Sequence, residues 1–218
     1  MSIIKNISVF ILVIFIINYS CNNKILPGKH VNKTDKRGDY RIMFYNVENF
    51  FDTYNDSLTQ DDEFLPEGDK HWNSKRFSDK LNKLYKVIIA VGGWEAPEII
   101  GLCEIENMYV LNRLIYDTPL SKFDYAIVHQ DSPDIRGIDV ALLFRKDKIR
   151  LLQISFHSIT FPWDAAKKTR DILYFKGLAG KDTLHFFINH WPSRYGGQLE
   201  TEEYRVYVSS VLKSKVDS

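Results

Sequence analysis

At 218 residues the chain is long enough for one sizeable domain with a buried core and too short for two large ones. Hydrophobic residues make up 44% and charged residues 26%, a globular mixture that argues against wholesale disorder. A formal net charge of only +1 argues against a domain carried to nucleic acid by bulk electrostatics and leaves room for a local basic groove.

The first segment is a targeting signal in pattern. Lys5 precedes the apolar run from Ile7 to Ile17, and Asn18-Tyr19-Ser20-Cys21 follows. A short apolar run behind a positive residue is expected to be a secretory signal over residues 1–21 rather than a full membrane span. Cys21 resembles the acylated cysteine of a bacterial lipoprotein, although Asn18 stands where that motif usually has Leu; an uncleaved anchor is the other reading. Either way the domain is expected outside the cytoplasm, held to the membrane by its N-terminus. Residues 22–39 are polar, with Pro27, Gly28 and Gly38, and are expected to be a tether; everything before about Asp39 is expected to pack little against the domain at 40–218. Cys103, the other cysteine, lies in an apolar stretch and is expected to be a small buried hydrophobe, so no disulfide framework is indicated.

Within the domain, β-propensity predicts a strand over Arg41–Val47, followed by a polar, acidic loop from Asp52 to Asn73. Phe77, Leu81, Leu84, Ile88 and Val91 recur at steps of four and three, which predicts an amphipathic helix over Ser74–Val91 closed by Gly92-Gly93. A buried strand is predicted over Glu98–Ile105, and a short helix around Val110–Ile115. Successive strands are then predicted at Tyr125–His129, Asp139–Arg145, Arg150–Ser158, Ile172–Leu178 and Leu184–Trp191, separated by turn-forming segments, and a last helix over Glu200–Lys215. Such an order implies an α/β (α+β) sandwich, two packed mixed β-sheets flanked by helices. Because the last helix has no strand after it, the set of elements is lopsided.

Three strand ends carry polar groups suited to a metal and a phosphate: Asn46 in Phe-Tyr-Asn-Val-Glu-Asn, Glu104 in Gly-Leu-Cys-Glu-Ile-Glu-Asn, and His190 in Asn-His-Trp-Pro-Ser-Arg. An acid after a buried strand is poised to hold a hard cation, since Mg²⁺ takes one or two carboxylates plus water and substrate oxygens. A nearby histidine and arginine suit the phosphate that such a cation polarises. Each alone reads equally as an ordinary strand end meeting solvent, so the weight rests on the three together. Trp72, Trp94 and Trp163 are expected to pack in the core or at an interface.

These motifs, together with Arg136-Gly-Ile-Asp139-Val-Ala-Leu-Leu, occur in an order and spacing that resembles the endonuclease/exonuclease/phosphatase superfamily, the DNase I-like proteins, over nearly everything from Arg41 onward. The resemblance implies a Mg²⁺-dependent phosphoesterase, with Mn²⁺ as a substitute. Glu104 would be a metal ligand and Asn46 would stand beside it at the metal. His190 would stabilise charge on the scissile phosphate, and Arg136, Asp139 and Arg194 would contact substrate. Nucleic acid, a phospholipid head group and a small phosphate ester all fit as substrates, and a monomer is expected. The superfamily's Gly-Asp-Phe-Asn and Ser-Asp-His segments do not occur in this chain. The expectation is therefore a domain incomplete at its C-terminus, weak or inactive by itself; the alternative is a catalytically dead, membrane-anchored binding or remnant domain.

Overall fold

The computed structural model describes residues 14–17 and 40–218, apart from Trp94 and Tyr195. In chain order the elements are β1 (Ile14–Ile17), β2 (Ile42–Phe50), α1 (Ser74–Val91), β3 (Ile99–Ile105), α2 (Met108–Tyr116), β4 (Tyr125–His129), β5 (Asp139–Arg145), β6 (Ile149–His157), β7 (Ile172–Ala179), β8 (Asp182–Ile188) and α3 (Glu202–Val216). Two four-stranded sheets result, one ordered β2-β3-β5-β4 and the other β1-β8-β7-β6. The first is mixed, with β2 and β3 parallel and its remaining pairs antiparallel; the second is antiparallel throughout. The expected two-sheet sandwich is therefore present, with one mixed sheet rather than two.

Layering follows from which side of each strand is apolar. On β3, Ile100 and Leu102 join a core with Phe77, Leu81, Leu84 and Ile88 of α1 and Val110, Leu111 and Leu114 of α2. Ile99 and Cys103, one residue out of phase, enter a second core with Val140, Leu142 and Phe144 of β5 and Leu173, Phe175, Phe186 and Ile188 of the other sheet. A third core sets Phe161, Ile172 and Phe187 against Val208 and Leu212 of α3. The order of layers is helix, sheet, sheet, helix. Burial on both faces explains why β3 and β5 read as continuous apolar runs rather than alternating ones.

Local signals place the helices. Asn73 caps α1 by accepting from the backbone N–H groups of Lys75 and Arg76, and Asn107 caps α2 by accepting from Val110. Past the end of α1 the chain turns through Gly93 at φ 67°. Trp72 is buried and donates its indole N–H to the Phe51 carbonyl, and Cys103 is a buried free thiol, as the sequence implies. Trp163 is 48% exposed on the aromatic cluster it forms with Phe161, Tyr204 and Tyr207, while Trp94 lies outside the described residues.

The sheets approach closely at Gly101, where an added Cβ would stand 2.8 Å from Ile188 Cδ1 and 2.9 Å from Phe44 Cδ2. Gly101→Val is expected to cost about 1–3 kcal/mol by overpacking the space between the sheets, read as a lowered denaturation midpoint. An unchanged midpoint would mean that the sheets separate freely there.

The N-terminal segment differs from expectation. Ile14–Ile17 pairs antiparallel with Leu184–Phe187 of β8 instead of standing apart from the domain. The physical reason is the open edge of β8: a row of unpaired N–H and C=O groups accepts a β-branched apolar run readily. Cys21 and the tether at 22–39 lie outside the described residues. Among the described residues no helix is long and apolar enough to cross a membrane.

Candidate active site

β2 and β3 are parallel neighbours, so their C-terminal ends emerge at the same edge. Both ends are irregular. Pairing shifts register between Asn46 and Phe50 on β2, and between Cys103 and Ile105 where β3 meets β5. Glu48, Asn49 and Glu104 adopt φ of 57°, 60° and 65°. A left-handed backbone costs a side-chain-bearing residue about 1–3 kcal/mol, and such strain clusters where a side chain must be re-aimed.

Here the re-aimed side chain is Glu104. Its Oε1 accepts from Asn46 Nδ2 at 2.9 Å and its Oε2 from the Asn49 backbone N–H at 2.9 Å. The Asn46 Oδ1 in turn accepts from the Glu48 N–H at 2.8 Å, which fixes the amide's orientation. From α1, Lys80 donates its ammonium to the Glu48 carbonyl and, at 3.2 Å, to that of Asn49, clamping the bulge that presents the Asn49 N–H. Burial lowers the Lys80 pKa, with the charges of Glu48 and Glu104 opposing the shift.

His190 completes the cluster from the opposite sheet, two residues past the end of β8. Its Nε2 lies 3.4 Å from Glu104 Oε1, and its Nδ1 is buried without a hydrogen-bond partner. Burial pushes the imidazole pKa down to about 3, and the charges of Arg170 and Arg136 push the same way. At neutral pH the ring is therefore uncharged, with one N–H to donate. The His190 main chain is anchored by Arg170. This buried guanidinium donates to the His190 carbonyl at 3.0 Å, to the Trp191 carbonyl at 2.7 Å and to Asp134 Oδ2 at 2.8 Å. Burial lowers the Arg170 pKa while Asp134 raises it.

Of the residues singled out from sequence, Asn46, Glu104 and His190 thus converge. The others are held by different partners. Asp139 is buried at the start of β5; its Oδ1 accepts from the Ser132 N–H at 3.0 Å and from the Ser132 hydroxyl, and its Oδ2 is 3.6 Å from His129 Nε2. It holds the β4–β5 loop. Arg136 is exposed and paired with Asp134 at 3.4 Å, and Arg194 is exposed in the loop between β8 and α3. Lys80, Asp134 and Arg170 carry no comparable signal in the sequence. Lys167-Lys168-Thr169-Arg170 reads as a solvated basic run, and only the fold shows that its last member is buried.

A second cluster of potential ligands sits at the β4–β5 loop, where His129, Asp131 and Asp139 bring ligand atoms within 4.8 Å of one another. Near it Asp171 is buried, its Oδ1 unpartnered, and its pKa is raised chiefly by burial, with the charge of Asp139 adding and a hydrogen bond from Ser158 opposing. A folded-state pKa above the ordinary carboxylate value means that Asp171's contribution to stability is full below that value and is lost as pH rises through the raised pKa. Asp171→Asn is therefore expected to raise the melting temperature at pH 7 and to leave it unchanged near pH 3. A lower melting temperature at pH 7 would show that the charged form is the one the fold favours.

The fold and the site together define a four-layer, two-sheet sandwich with a carboxylate, an amide and an imidazole gathered at one edge. Over residues 41–218 the chain matches the model of the Endonuclease/Exonuclease/phosphatase family, and it belongs to that family. Similar solved structures include D. rerio TDP2 humanized by 14 mutations, at 14% identity over 82% of this chain and 56% of that one, with a TM-score of 0.51. Another is an endonuclease/exonuclease/phosphatase family protein from Bacteroides thetaiotaomicron, at 17% identity over 81% of this chain and 55% of that one, with a TM-score of 0.46. At 14% identity the likeness to TDP2 is one of fold, and this chain spans little more than half the length of either structure. No curated protein sequence matches the chain.

Proposed function

We propose that this chain carries the metal-ligand side of a Mg²⁺-dependent phosphoesterase, with Mn²⁺ as a substitute, that cleaves a phosphodiester or phosphomonoester by attack of water. The observation that carries this reading is the Glu104 carboxylate, oriented at the end of β3 by Asn46 and the Asn49 N–H and faced by an uncharged imidazole. The residues fit a hard cation: each Glu104 oxygen takes one short hydrogen bond and keeps a lone pair, and the side chain is 15% exposed, so it is reachable. Glu104 would hold the ion, which when bound supplies charge stabilisation at a phosphate oxygen.

The protein's own groups supply the rest. Asn46 directs its nitrogen to Glu104 and its oxygen to the backbone, so it acts on the ion through the carboxylate it orients. His190, kept neutral by burial, offers an N–H to a non-bridging oxygen whose charge grows in the transition state. Lys80 keeps the strained bulge closed. Neither the Gly-Asp-Phe-Asn nor the Ser-Asp-His segment is in the chain, so turnover by this chain alone is expected to be feeble. The same absence favours the second reading, a domain that binds phosphate esters without cleaving them. In the cell we place it outside the cytoplasm as a monomer, membrane-anchored through an acylated Cys21, a processing step that removes residues 1–20 and with them β1; an unmodified Cys21 in mass spectra of membrane-fraction protein would exclude lipidation.

The test is hydrolysis of a chromogenic phosphodiester, an oligonucleotide and a phospholipid by the full chain, with Mg²⁺ and with chelator. Slow, metal-dependent turnover lost in His190→Ala supports catalysis. Turnover indifferent to both chelator and His190→Ala overturns it, and metal-dependent binding without turnover favours the second reading.

A further inference from the structure

The β4–β5 loop begins and ends on potential metal ligands. His129 closes β4, Asp131 stands two residues further on, and Asp139 opens β5. One ligand atom from each lies within 4.8 Å of the others. Strand pairing enforces the grouping, because His129 pairs with Ala141 at the closed end of the β4–β5 hairpin. The side chains of His129 and Asp139 are 2% and 3% exposed. That of Asp131 is 84% exposed, with its Oδ1 3.9 Å from His129 Nδ1.

A second observation comes from the imidazole. His129 Nε2 is buried without a hydrogen-bond partner, a state that costs a fold stability. It faces Asp139 Oδ2 at 3.6 Å, while both Ser132 donors go to the other oxygen, Oδ1. That separation is too long for a hydrogen bond. It is close to the distance of about 3.4 Å between two ligands of a tetrahedral Zn²⁺, each bound at about 2.0–2.2 Å. A closed metal site is enclosed by protein, so its inner ligands need no contact with solvent, and Asp131 gives the way in. Asp131 and Asp139 also line a cavity of ≈ 280 Å³ together with Asp56, Glu106 and Asp134, and among the described residues no cationic side chain lines it. Such a one-sided wall concentrates cations at the mouth of the cluster.

We propose that His129, Asp131 and Asp139 form a Zn²⁺ site that fastens the β4–β5 loop, with water from the cavity completing the coordination. An imidazole among the ligands favours Zn²⁺ over Mg²⁺, and Mn²⁺ stands lowest in the order of transition-metal affinities for such donors. The ions suited to Glu104 are therefore poor occupants of this site, whose ligands do not include Glu104. Fastening acts beyond the loop, because the loop carries Asp134, the counter-charge of the buried Arg170 that holds the His190 carbonyl. Bound Zn²⁺ thus steadies the imidazole of His190 from a second element. The Zn²⁺ site stands whether or not the chain is a phosphoesterase.

The test titrates the metal-free full chain with Zn²⁺ in excess Mg²⁺, followed by calorimetry and by the imidazole ¹⁵N NMR signals. Saturation at a single ion per chain is expected, with a shifted His129 Nε2 signal and slowed amide exchange over residues 131–138. Asp131→Ala, at an exposed position, should weaken the Zn²⁺ affinity about tenfold or more, and His129→Gln should abolish saturation. Should His129→Gln fail to fold, the ring signal of the unaltered chain decides the role of His129. Glu104→Gln should leave saturation in place. Equal affinity in Asp131→Ala, an unmoved His129 ring signal, or saturation lost in Glu104→Gln would overturn the site. Zn²⁺ binding with unchanged amide exchange over residues 131–138 would overturn the fastening of the loop.

Discussion

Asp134→Ala is expected to destabilise the domain by about 3–5 kcal/mol, because it leaves the Arg170 guanidinium buried without a counter-charge. For a domain of this size that corresponds to a fall in melting temperature of about 10 °C. The loss has a local consequence as well. Arg170 holds the carbonyls of His190 and Trp191, and Asp134 holds Arg170, so the carboxylate sets the position of the imidazole from one element away. Asp134 Oδ1 also accepts from the Arg136 N–H at 3.0 Å, which shapes the β4–β5 loop. The double variant Asp134→Leu/Arg170→Met separates charge burial from packing. Replacing both partners by apolar groups of similar volume should recover much of the stability, since the penalty arises from the unpaired charge. A double variant no more stable than Asp134→Ala would mean that the hydrogen bonds to the two carbonyls, and not the charge pair, hold this end of the sheet.

The second large effect concerns Glu104. Glu104→Gln keeps the volume and one of the two acceptor oxygens but removes the negative charge and sets an NH₂ against the other donor, so metal-dependent hydrolysis should fall to background at a cost of about 1–3 kcal/mol in stability. Asn46→Ala leaves the charge and removes its orientation, and is expected to weaken metal affinity about 10- to 100-fold. Because Asn46, Glu104 and His190 touch in one chain of contacts, these losses should not add; the double variant Asn46→Ala/Glu104→Gln is expected to be no worse than Glu104→Gln alone. Additive losses would show that Asn46 acts on substrate by a separate route.

Much of this organisation is legible in the residues, for physical reasons. Phe77, Leu81, Leu84 and Ile88 repeat with the helical period because one face of α1 meets the sheet, so the predicted span Ser74–Val91 coincides with the observed helix. The strands Tyr125–His129 and Asp139–Arg145 are likewise bounded by turn-forming segments on the predicted residues. Asn46, Glu104 and His190 could be picked out because each breaks or follows an apolar run. What the sequence hides is geometry that only packing creates. Nothing local announces that Glu104 lies in a left-handed bulge, since glutamate has no preference for that conformation. Lys80 looks like any polar residue on the outer face of α1, and its use as a clamp depends on where β2 ends. Arg170 follows two exposed lysines, and its burial is decided by Asp134 from a loop 36 residues earlier. Asp139 is tied to Ser132 in its own loop, a partner that nothing in its motif announces.

Mn²⁺ binding by electron paramagnetic resonance on the full chain tests most directly whether Glu104 holds the metal. His129, Asp131 and Asp139 form a competing cluster with its own set of ligand atoms, which makes the comparison decisive. The expected result is a bound Mn²⁺ signal that disappears in Glu104→Gln and persists in His129→Ala. Persistence in Glu104→Gln together with loss in His129→Ala would move the metal to the β4–β5 loop and contradict the account.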